Sequence, residues 1–249
     1  MSRLKDKFTL ITGGTSGIGL ETARQFLAEG AHVAITGRSE QGIEEARKEL
    51  GRDVLCFRSD AGSVSDQKEL AKQLSSRWPR IDAVFLNAAD VTHRPMETWD
   101  EETYDKILAV NLKGPFFLLQ QILPLFTNPS SVILCGSAGA HIGLAKSSVY
   151  AASKAGLLSL VRTLSGEWIE RGIRVNGLSP GPTATPALRR LGLPKDEEAA
   201  LVDQIKKLVP VGRLGSPLEI AKAAVFLASD ESTFVVGGEL LVDGGVTSL

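Results

Sequence analysis

Short apolar segments alternate with helical patterns along the whole chain. The apolar segments are rich in strand-forming residues and show no alternation of inward and outward positions; they cover residues 8–12, 32–36, 54–57, 83–86, 131–135, 174–178 and 240–242. Strands that are apolar on both faces are typical of a parallel sheet between two layers of helices. Helical patterns fall between them, at residues 18–29, 40–50, 65–77, 103–126, 150–171 and 218–228. The alternation predicts a doubly wound α/β fold with a seven-stranded parallel sheet, in a single domain over residues 1–249.

One long connection interrupts this rhythm. Residues 182–217 precede the last helical pattern, and their middle, 195–208, could form a helix of its own. Long connections in compact domains are often lids or binding loops, so the sequence predicts a substrate lid inserted in the domain. Leu188, Leu191 and Leu193 would give this lid an apolar wall, although helix or core packing explains the three leucines equally well.

Composition narrows the choice of partners. The 28 basic residues nearly balance the 29 acidic ones, and a net charge of −1 predicts no general attraction for nucleic acid or an anionic membrane. Cys56 and Cys135 lie in strand-like segments, which indicates no disulfide framework and favours a reducing, cytoplasmic compartment. We expect no signal peptide and no apolar segment of the roughly 18 residues that a membrane span needs. We also expect no metal site, because no set of His, Cys, Asp or Glu residues has the spacing of metal ligands.

A glycine-rich turn follows the first predicted strand. Its sequence is Thr-Gly-Gly-Thr-Ser-Gly-Ile-Gly, and a helical pattern begins at once. Glycines allow a tight turn and let the backbone approach a phosphate, which then lies at a helix N-terminus. The spacing differs from the common dinucleotide motif, and no Gly-Lys-Ser/Thr follows as in a phosphate-binding P-loop. The predicted cofactor contacts in this turn are Gly13, Thr15, Ser16, Gly17, Ile18 and Gly19.

The residues after the second strand bear on the choice of cofactor. NAD sites usually carry an acidic residue there, but this chain has Gly37, Arg38 and Ser39. Gly37 removes bulk and charge, and the planar cation of Arg38 suits a phosphate, which favours NADP(H) over NAD. The alternative is an ordinary surface arginine. After the third strand come Asp60, which could accept a hydrogen bond from an adenine amino group or simply stabilise a turn, and Ala61.

Tyr150 and Lys154 are four positions apart in a helical pattern, and therefore share one helix face. A free phenol titrates near pH 10, but a cation about 4 Å away favours the ionised form by roughly 4 kcal/mol at an effective dielectric constant of 20. Ser137 precedes Tyr150 by thirteen residues and ends a predicted strand, at the edge where open parallel sheets bind ligands. His141 could border the same cleft, but His141 and His93 are more simply ordinary loop histidines.

Taken together, these motifs resemble the short-chain dehydrogenase/reductase family, in the branch with Thr-Gly-x-x-x-Gly-x-Gly and Tyr-x-x-x-Lys. The resemblance covers the full length and continues at residues 87–89, 110–112, 180–186 and 242–245. It implies a Rossmann-like fold and is greatest to bacterial NADP-dependent alcohol dehydrogenases that reduce ketones and to 3-oxoacyl-carrier-protein reductases. One departure is Asn87-Ala88-Ala89-Asp90 where the family usually has Asn-Asn-Ala-Gly; Asp90 could face the substrate cleft or be a solvated loop acid.

The resemblance also implies roles for individual residues. Tyr150 would protonate the carbonyl oxygen, Ser137 would hold that oxygen, and Lys154 would favour the ionised tyrosine and bind the nicotinamide ribose. Asn111 would shape a helix bend and hold a water that links Lys154 to solvent. Thr183 and Thr185 would contact the carboxamide. The further implied cofactor contacts are Asn87, Ala88, Val110, Pro180 and Gly181, together with Tyr150 and Lys154 themselves.

The expected function is NADP(H)-dependent transfer of a hydride between nicotinamide and a ketone or secondary alcohol. One alternative is 3-oxoacyl thioester reduction, for which Arg94, Arg189 and Arg190 could meet an acidic carrier protein. A catalytically silent nucleotide-sensing protein is disfavoured by the intact serine, tyrosine and lysine. So is a dehalogenase-like variant, because such relatives lose the glycine-rich turn.

A second copy of the chain is the other expected partner. The helical pattern that begins at Tyr150 is apolar on nearly every side, and a helix of this kind should be buried. One face can pack on the sheet, with the rest covered by another subunit and by the 103–126 helix. The sequence therefore predicts a homo-oligomer, and the resemblance implies a dimer or tetramer. Leu158 and Val161 are the candidate outward positions.

Overall fold

The computed structural model describes residues 2–186 and 195–249. Its strands are β1 (Phe8–Thr12), β2 (His32–Gly37), β3 (Leu55–Arg58), β4 (Ile81–Leu86), β5 (Phe126–Cys135), β6 (Ile173–Pro180) and β7 (Glu239–Val242). They form one parallel sheet in the order β3-β2-β1-β4-β5-β6-β7, which confirms the predicted seven-stranded, Rossmann-like single domain. The order reverses between β1 and β4. In open sheets of this kind, ligands bind in the crevice at that point, beyond the carboxyl ends of the strands.

Helices cover both faces of the sheet. They are α1 (Gly17–Ala28), α2 (Glu40–Leu50), α3 (Val64–Arg77), α4 (Glu101–Leu108), α5 (Gly114–Ile122), α6 (Ser148–Trp168), α7 (Lys195–Leu208) and α8 (Pro217–Ala228). One apolar core joins the sheet to α3, α5 and α6, and the other joins it to α1, α2 and α8. The strands are therefore buried on both sides, which is why their sequences show no alternation.

The helix predicted over residues 103–126 is interrupted, so the prediction of one continuous helix with these bounds was wrong. A π-helical turn, Ala109–Lys113, separates α4 from α5, and the chain passes through a 3₁₀ turn, Leu123–Leu125, before Phe126 begins β5. Two residues account for the interruption. Pro115 has no backbone N–H to continue an α-helical ladder. Gly114 lies so close to the carbonyl oxygen of Ala61 that any β-carbon there would overlap it.

The helical stretch Glu101–Leu125 also reaches the length and mean hydropathy of a membrane span, which the sequence prediction did not allow for. Its most apolar window is 44% buried inside the protein. Leu118, Leu119 and Ile122 belong to the core beneath the sheet. Core helices of globular proteins commonly pass the same test, because both environments select apolar residues.

The outward face of α6 differs from the prediction. Leu158 and Val161 are 5% and 2% exposed and belong to the core, so neither faces outward. In the first part of α6 the exposed positions carry small residues, among them Ala152, Ala155 and Ser159. Sequence periodicity could not distinguish which apolar residues pack on the sheet. The homo-oligomer stays a prediction, but the residues that would form its interface change.

The connection 182–217 is tied at its base and contains the expected helix, α7. Thr183 and Gly215 form a parallel bridge, with hydrogen bonds from the N–H of Ala184 to the carbonyl of Gly215 and from that of Gly215 to the carbonyl of Pro182. The predicted lid residues Leu188, Leu191 and Leu193, with Arg189 and Arg190, lie outside the described residues.

Candidate active site

An open cavity of about 650 Å³ runs along the carboxyl ends of β1, β2, β4, β5 and β6. It brings together Ser137, Tyr150 and Lys154, which are separate in sequence. The predicted cofactor residues that line it are Gly13, Thr15, Ser16, Gly17, Ile18, Arg38, Ser39, Ala61, Asn87, Ala88, Val110, Pro180, Gly181, Thr183 and Thr185. Gly37 and Asp90, which the sequence analysis also considered, line it as well; the lining residues that it missed flank these motifs and are Thr36, Ser59, Ala89, Val91, Cys135, Gly136 and Pro186.

The glycine-rich turn has the backbone geometry that the sequence predicted. Gly13 and Gly17 have φ angles of +65° and +56°, in the left-handed region that residues with a β-carbon rarely adopt. The N–H of Gly14 donates to the carbonyl of Thr36 at 2.9 Å, which fixes the turn against β2. Helix α1 begins at Gly17, on the cavity wall, so its N-terminal N–H groups and dipole favour an anion there.

Two of the predicted cofactor residues do not line the cavity. A β-carbon on Gly19 would overlap the carbonyl oxygen of Gly13 and lie 2.6 Å from Nδ2 of Asn87, so this glycine lets α1 approach the turn. Asp60 lies in an adjoining hollow that also includes Arg38. Its Oδ1 accepts the N–H of Gly62 at 2.9 Å, which is the turn-stabilising alternative considered for it.

The end of β2 presents Arg38 at the cavity and at the adjoining hollow. The side chain is exposed, and among the described residues none of the acidic ones lines the cavity at this end. Gly37 has a different role from the one expected. A β-carbon there would overlap the methyl group of Thr15, so Gly37 makes room for the glycine-rich turn rather than for a ligand.

Ser137 and Tyr150 face a common space at the far end of the cavity. Ser137 lies two residues after Cys135, the last residue of β5, and its Oγ accepts the N–H of Gly139 at 3.0 Å. A β-carbon on Gly139 would lie 3.3 Å from that Oγ and 3.7 Å from Cε1 of Tyr150. Glycine therefore keeps open the space between the serine hydroxyl and the tyrosine ring. A small carbonyl or hydroxyl group fits the donors and acceptors there.

Lys154 is a buried cation, and the described residues offer its ammonium group a single hydrogen-bond acceptor. It is 2% exposed, and its Nζ lies 5.9 Å from the ring centroid of Tyr150. The ammonium donates to the carbonyl of Cys135 at 2.7 Å. An ammonium has three donors, and no other acceptor contacts this one within residues 2–186 and 195–249. Burying such a charge is costly unless it is paired, so the remaining donors fit the hydroxyls of a ligand such as a nicotinamide ribose.

Asn111 holds a loop, and it does not line the cavity. It lies in the π-helical turn and is fully buried. Its Nδ2 donates to the carbonyl of Asp90 and to Oγ of Ser153, at 2.9 and 3.0 Å, while its Oδ1 accepts the N–H of Asp90 at 2.8 Å. Asn111 is therefore a positioning residue that joins the loop after β4 to α6. The predicted water beside Lys154 stays a prediction.

Asp90 is held within the cavity wall and is not a solvated loop acid. Its side chain is 12% exposed and accepts hydrogen bonds from the N–H and Oγ of Thr92, at 3.0 and 2.6 Å. Lys106 places its Nζ 3.2 Å away. Burial acts to raise the pKa of Asp90, but the bonds from Thr92 and the charge of Lys106 outweigh it and hold the pKa below its usual value.

The two loop histidines have different surroundings. Nε2 of His141 lies 2.7 Å from Glu239, away from the cavity lining. His93 instead packs against Tyr150, with ring centroids 5.2 Å apart, and its Nδ1 lies 2.8 Å from Oγ of Ser147. Burial lowers the pKa of His93. The expectation of ordinary loop histidines did not foresee the contact of His93 with Tyr150, because the fold brings together residues that no local motif connects.

Comparison with known proteins agrees with this geometry. The family model described as "Enoyl-(Acyl carrier protein) reductase" matches residues 13–247. A D-threitol dehydrogenase from Mycolicibacterium smegmatis is 36% identical, over 98% of this chain and 94% of its own. A probable 2,4-dienoyl-CoA reductase from Bacillus subtilis is 36% identical, over 97% of each chain.

A solved structure described as a short chain dehydrogenase/reductase family protein is also similar. It superposes with a TM-score of 0.88 at 37% identity, covering 99% of this chain and 100% of the other. The glycine-rich turn and the serine, tyrosine and lysine occupy one cavity of a fold that this structure shares. The chain therefore belongs to the short-chain dehydrogenase/reductase family of oxidoreductases, which use nicotinamide cofactors.

Proposed function

We propose that the protein transfers a hydride between NADP(H) and a ketone or secondary alcohol. The observation that carries this proposal is the meeting of Ser137 and Tyr150 around Gly139, in the same cavity as the buried ammonium of Lys154. A carbonyl oxygen placed there has two hydroxyl groups to bind it. The glycine-rich turn at the opposite end of that cavity suits a pyrophosphate.

The nicotinamide cofactor, when bound, supplies the hydride in reduction and accepts it in oxidation. Tyr150 gives its Oη proton to the carbonyl oxygen as the carbon receives the hydride, and takes the proton back in the oxidative direction. Ser137 donates a hydrogen bond to the same oxygen and so fixes its position. The ammonium of Lys154 lies 5.9 Å from the centroid of the Tyr150 ring, and its remaining donors bind ribose hydroxyls. Thr183 and Thr185 line the cavity near Pro186 and would hold the carboxamide.

The preference for NADP(H) rests on Arg38. Its guanidinium is exposed and would meet the 2′-phosphate with a charge-assisted hydrogen bond, which is among the stronger polar contacts in proteins. The cavity end beside Arg38 carries no acidic side chain within the described residues, so nothing in that lining repels the phosphate. The acids of the adjoining hollow, among them Asp60 and Asp66, would limit the preference.

Reduction of a 3-oxoacyl thioester is the second candidate function. The name of the matching family model and the dienoyl-CoA reductase relative favour it. The charge near the cleft favours it less, because Arg94 pairs with Asp100 at 2.5 Å and stacks over Trp99 at 6.0 Å. The threitol dehydrogenase relative supports an alcohol substrate. A silent nucleotide sensor has no need of the Ser137 and Tyr150 pair.

The decisive experiment is a turnover screen with a matched tyrosine pair. NADPH and NADH are each tested with ketones, secondary alcohols and acetoacetyl thioesters. The chain has two tyrosines, Tyr104 and Tyr150, and Tyr104 is 45% exposed on α4. Tyr150→Phe should keep cofactor affinity and lose about 10²–10⁴-fold in turnover, whereas Tyr104→Phe should match the wild type. Near-full turnover by Tyr150→Phe would refute the mechanism, and turnover of thioesters alone would establish the second candidate.

The setting of the enzyme forms part of the proposal. Free Cys56 and Cys135 suit the reducing cytoplasm, and burial raises the pKa of both thiols, which makes them unreactive. Exposed Phe116 on α5 and the small residue Ala155 on α6 suit the interface of a homo-oligomer. The connection 182–217 would act as the substrate lid.

A further inference from the structure

The loop between β4 and α4 carries an imidazole directly onto the tyrosine of the active site. The rings of His93 and Tyr150 have centroids 5.2 Å apart and are tilted by 58°. Nδ1 of His93 lies 2.8 Å from Oγ of Ser147, which immediately precedes α6 and is 1% exposed. The Oγ of Ser147 makes no capping bond to the helix, so its hydroxyl is available to orient the imidazole.

Further hydrogen bonds fix the position of the loop that carries His93. The N–H of Arg94 donates to the carbonyl of Lys146 at 2.9 Å, which joins the His93 loop to the loop before α6. At its start, the same loop is held by Asn111 through both backbone groups of Asp90. The imidazole is thus fixed on both sides along the chain, and its position relative to Tyr150 does not depend on a free loop.

One nitrogen of this imidazole has no partner in the protein. Nδ1 is engaged by Ser147, while Nε2 contacts no donor or acceptor within the described parts of the chain. Burial lowers the pKa of His93, which favours the neutral ring. A neutral imidazole with one nitrogen engaged offers a single donor or acceptor at the other, according to its tautomer.

The loop that carries His93 and the loop before α6 both expose apolar side chains. Val91 and Met96 on the same loop are 41% and 78% exposed, and Leu144 on the facing loop is 47% exposed. Exposed apolar residues near a ligand cavity commonly contact the carbon skeleton of a ligand, while a few polar groups fix its orientation. His93 is placed to be such a polar group, next to the residue that binds the reacting oxygen.

We propose that His93 is a specificity-determining residue whose Nε2 binds a second oxygen of the substrate, on the carbon next to the reacting one. The substrate class is then vicinal diols and the α-hydroxy ketones that their oxidation yields. Two oxygens on neighbouring carbons can reach two side chains whose rings are in contact, with Tyr150 taking the first oxygen and His93 the second. This inference rests on the proposed function.

The test compares two ketones that differ by one hydroxyl group. Wild-type protein with NADPH should reduce 2-hydroxycyclohexanone with a higher kcat/KM than cyclohexanone. His93→Phe keeps an aromatic ring against Tyr150 but has no nitrogen. In this variant the ratio of kcat/KM between the two ketones should fall by about three- to tenfold, which is the effect of losing one net hydrogen bond. The loss should fall on KM for the hydroxy ketone, with the kinetics of cyclohexanone unchanged.

Two further variants keep the outcome interpretable. Ser147→Ala releases Nδ1 without changing the ring, and should lose part of the preference even where the His93 variant does not fold. His141→Phe removes the other loop histidine, which lies away from the cavity lining, and should leave the preference as in the wild type. An equal fall of kcat/KM for both ketones in His93→Phe would mean that His93 only supports Tyr150, which overturns the proposal. If wild-type protein reduces neither ketone, the proposed function itself fails, and this inference with it.

Discussion

Gly19 offers a test of the cofactor cradle with a single methyl group. In Gly19→Ala the added β-carbon would overlap the carbonyl oxygen of Gly13 and lie 2.6 Å from Nδ2 of Asn87. Ordinary non-bonded contacts begin at about 3.5 Å, so α1 and the glycine-rich turn must separate by about 1 Å. Asn87 is poorly able to yield, because its Nδ2 already donates to the carbonyls of Thr12 and Gly13.

The size of the effect follows from this overlap. Forcing an extra carbon into a packed site costs about 1–3 kcal/mol. For a domain of this size each kcal/mol lowers Tm by about 2–4 °C, so Tm should fall by roughly 2–12 °C in a thermal melt. The separation also moves the turn away from the N-terminus of α1. Loss of one charge-assisted hydrogen bond to a phosphate should weaken NADPH binding by at least about tenfold in a fluorescence titration.

Gly166→Ala is the matched control. Gly166 is exposed in α6, and a β-carbon there would meet nothing within 4 Å. Alanine should stabilise this helix by about 0.5–1 kcal/mol through the lower entropy of the unfolded chain, with the cofactor Kd unchanged. If Gly19→Ala melted and bound NADPH like the wild type, the close approach of α1 to the turn would be disproved.

Three further predictions concern the cofactor, the assembly and acid stability. Wild-type protein should prefer NADPH over NADH by at least about tenfold in kcat/KM, and Arg38→Leu should abolish that preference; equal use of both cofactors by the wild type would contradict it. Phe116→Glu on α5 should shift the sedimentation coefficient from oligomer to monomer, while Gln41→Glu, exposed on α2 at the other face of the sheet, should not; a wild type that sediments as a monomer would refute the assembly. The hydrogen bond from Arg213 lowers the pKa of Glu219 to about 2, so this carboxylate stabilises the fold above its unfolded pKa of 4.5 and ceases to as the pH falls to about 2. Glu219→Gln should therefore lower Tm at pH 7 and match the wild type near pH 2; a constant Tm difference across that range would contradict this.

The fold could be predicted from sequence because its strands are buried on both faces. Segments 32–36 and 131–135 contain consecutive apolar residues, at 33–35 and 132–135, and the glycine-rich turn marks where the first strand meets its helix. The interruption between α4 and α5 could not be predicted in the same way. The apolar pattern continues through Gly114, and the close approach of Ala61 that requires a glycine there is a tertiary contact.

In the candidate site, too, residues in local motifs could be predicted from the sequence, and residues placed by tertiary contacts could not. Ser137, Tyr150 and Lys154 belong to local motifs, so their meeting in one cavity could be anticipated. His93 could not be placed against Tyr150, because the loop that carries it is positioned by Asn111 from another part of the chain. Local motifs predict groups that act together within one helix or turn, but contacts between loops depend on the whole sheet.

The bridge between Thr183 and Gly215 makes the segment above it exchangeable. Both ends of the 182–217 connection are fixed beside the cavity by backbone hydrogen bonds, whatever side chains the segment carries. Each doubling of a loop's length costs only about 0.6 kcal/mol in closure entropy, so length and composition can vary there at little expense to the fold. Under the proposal that this connection is the substrate lid, a segment grafted between these two residues from another family member would alter which molecules enter the cleft and leave the glycine-rich turn intact. Substrate range can thus evolve in this protein separately from the chemistry.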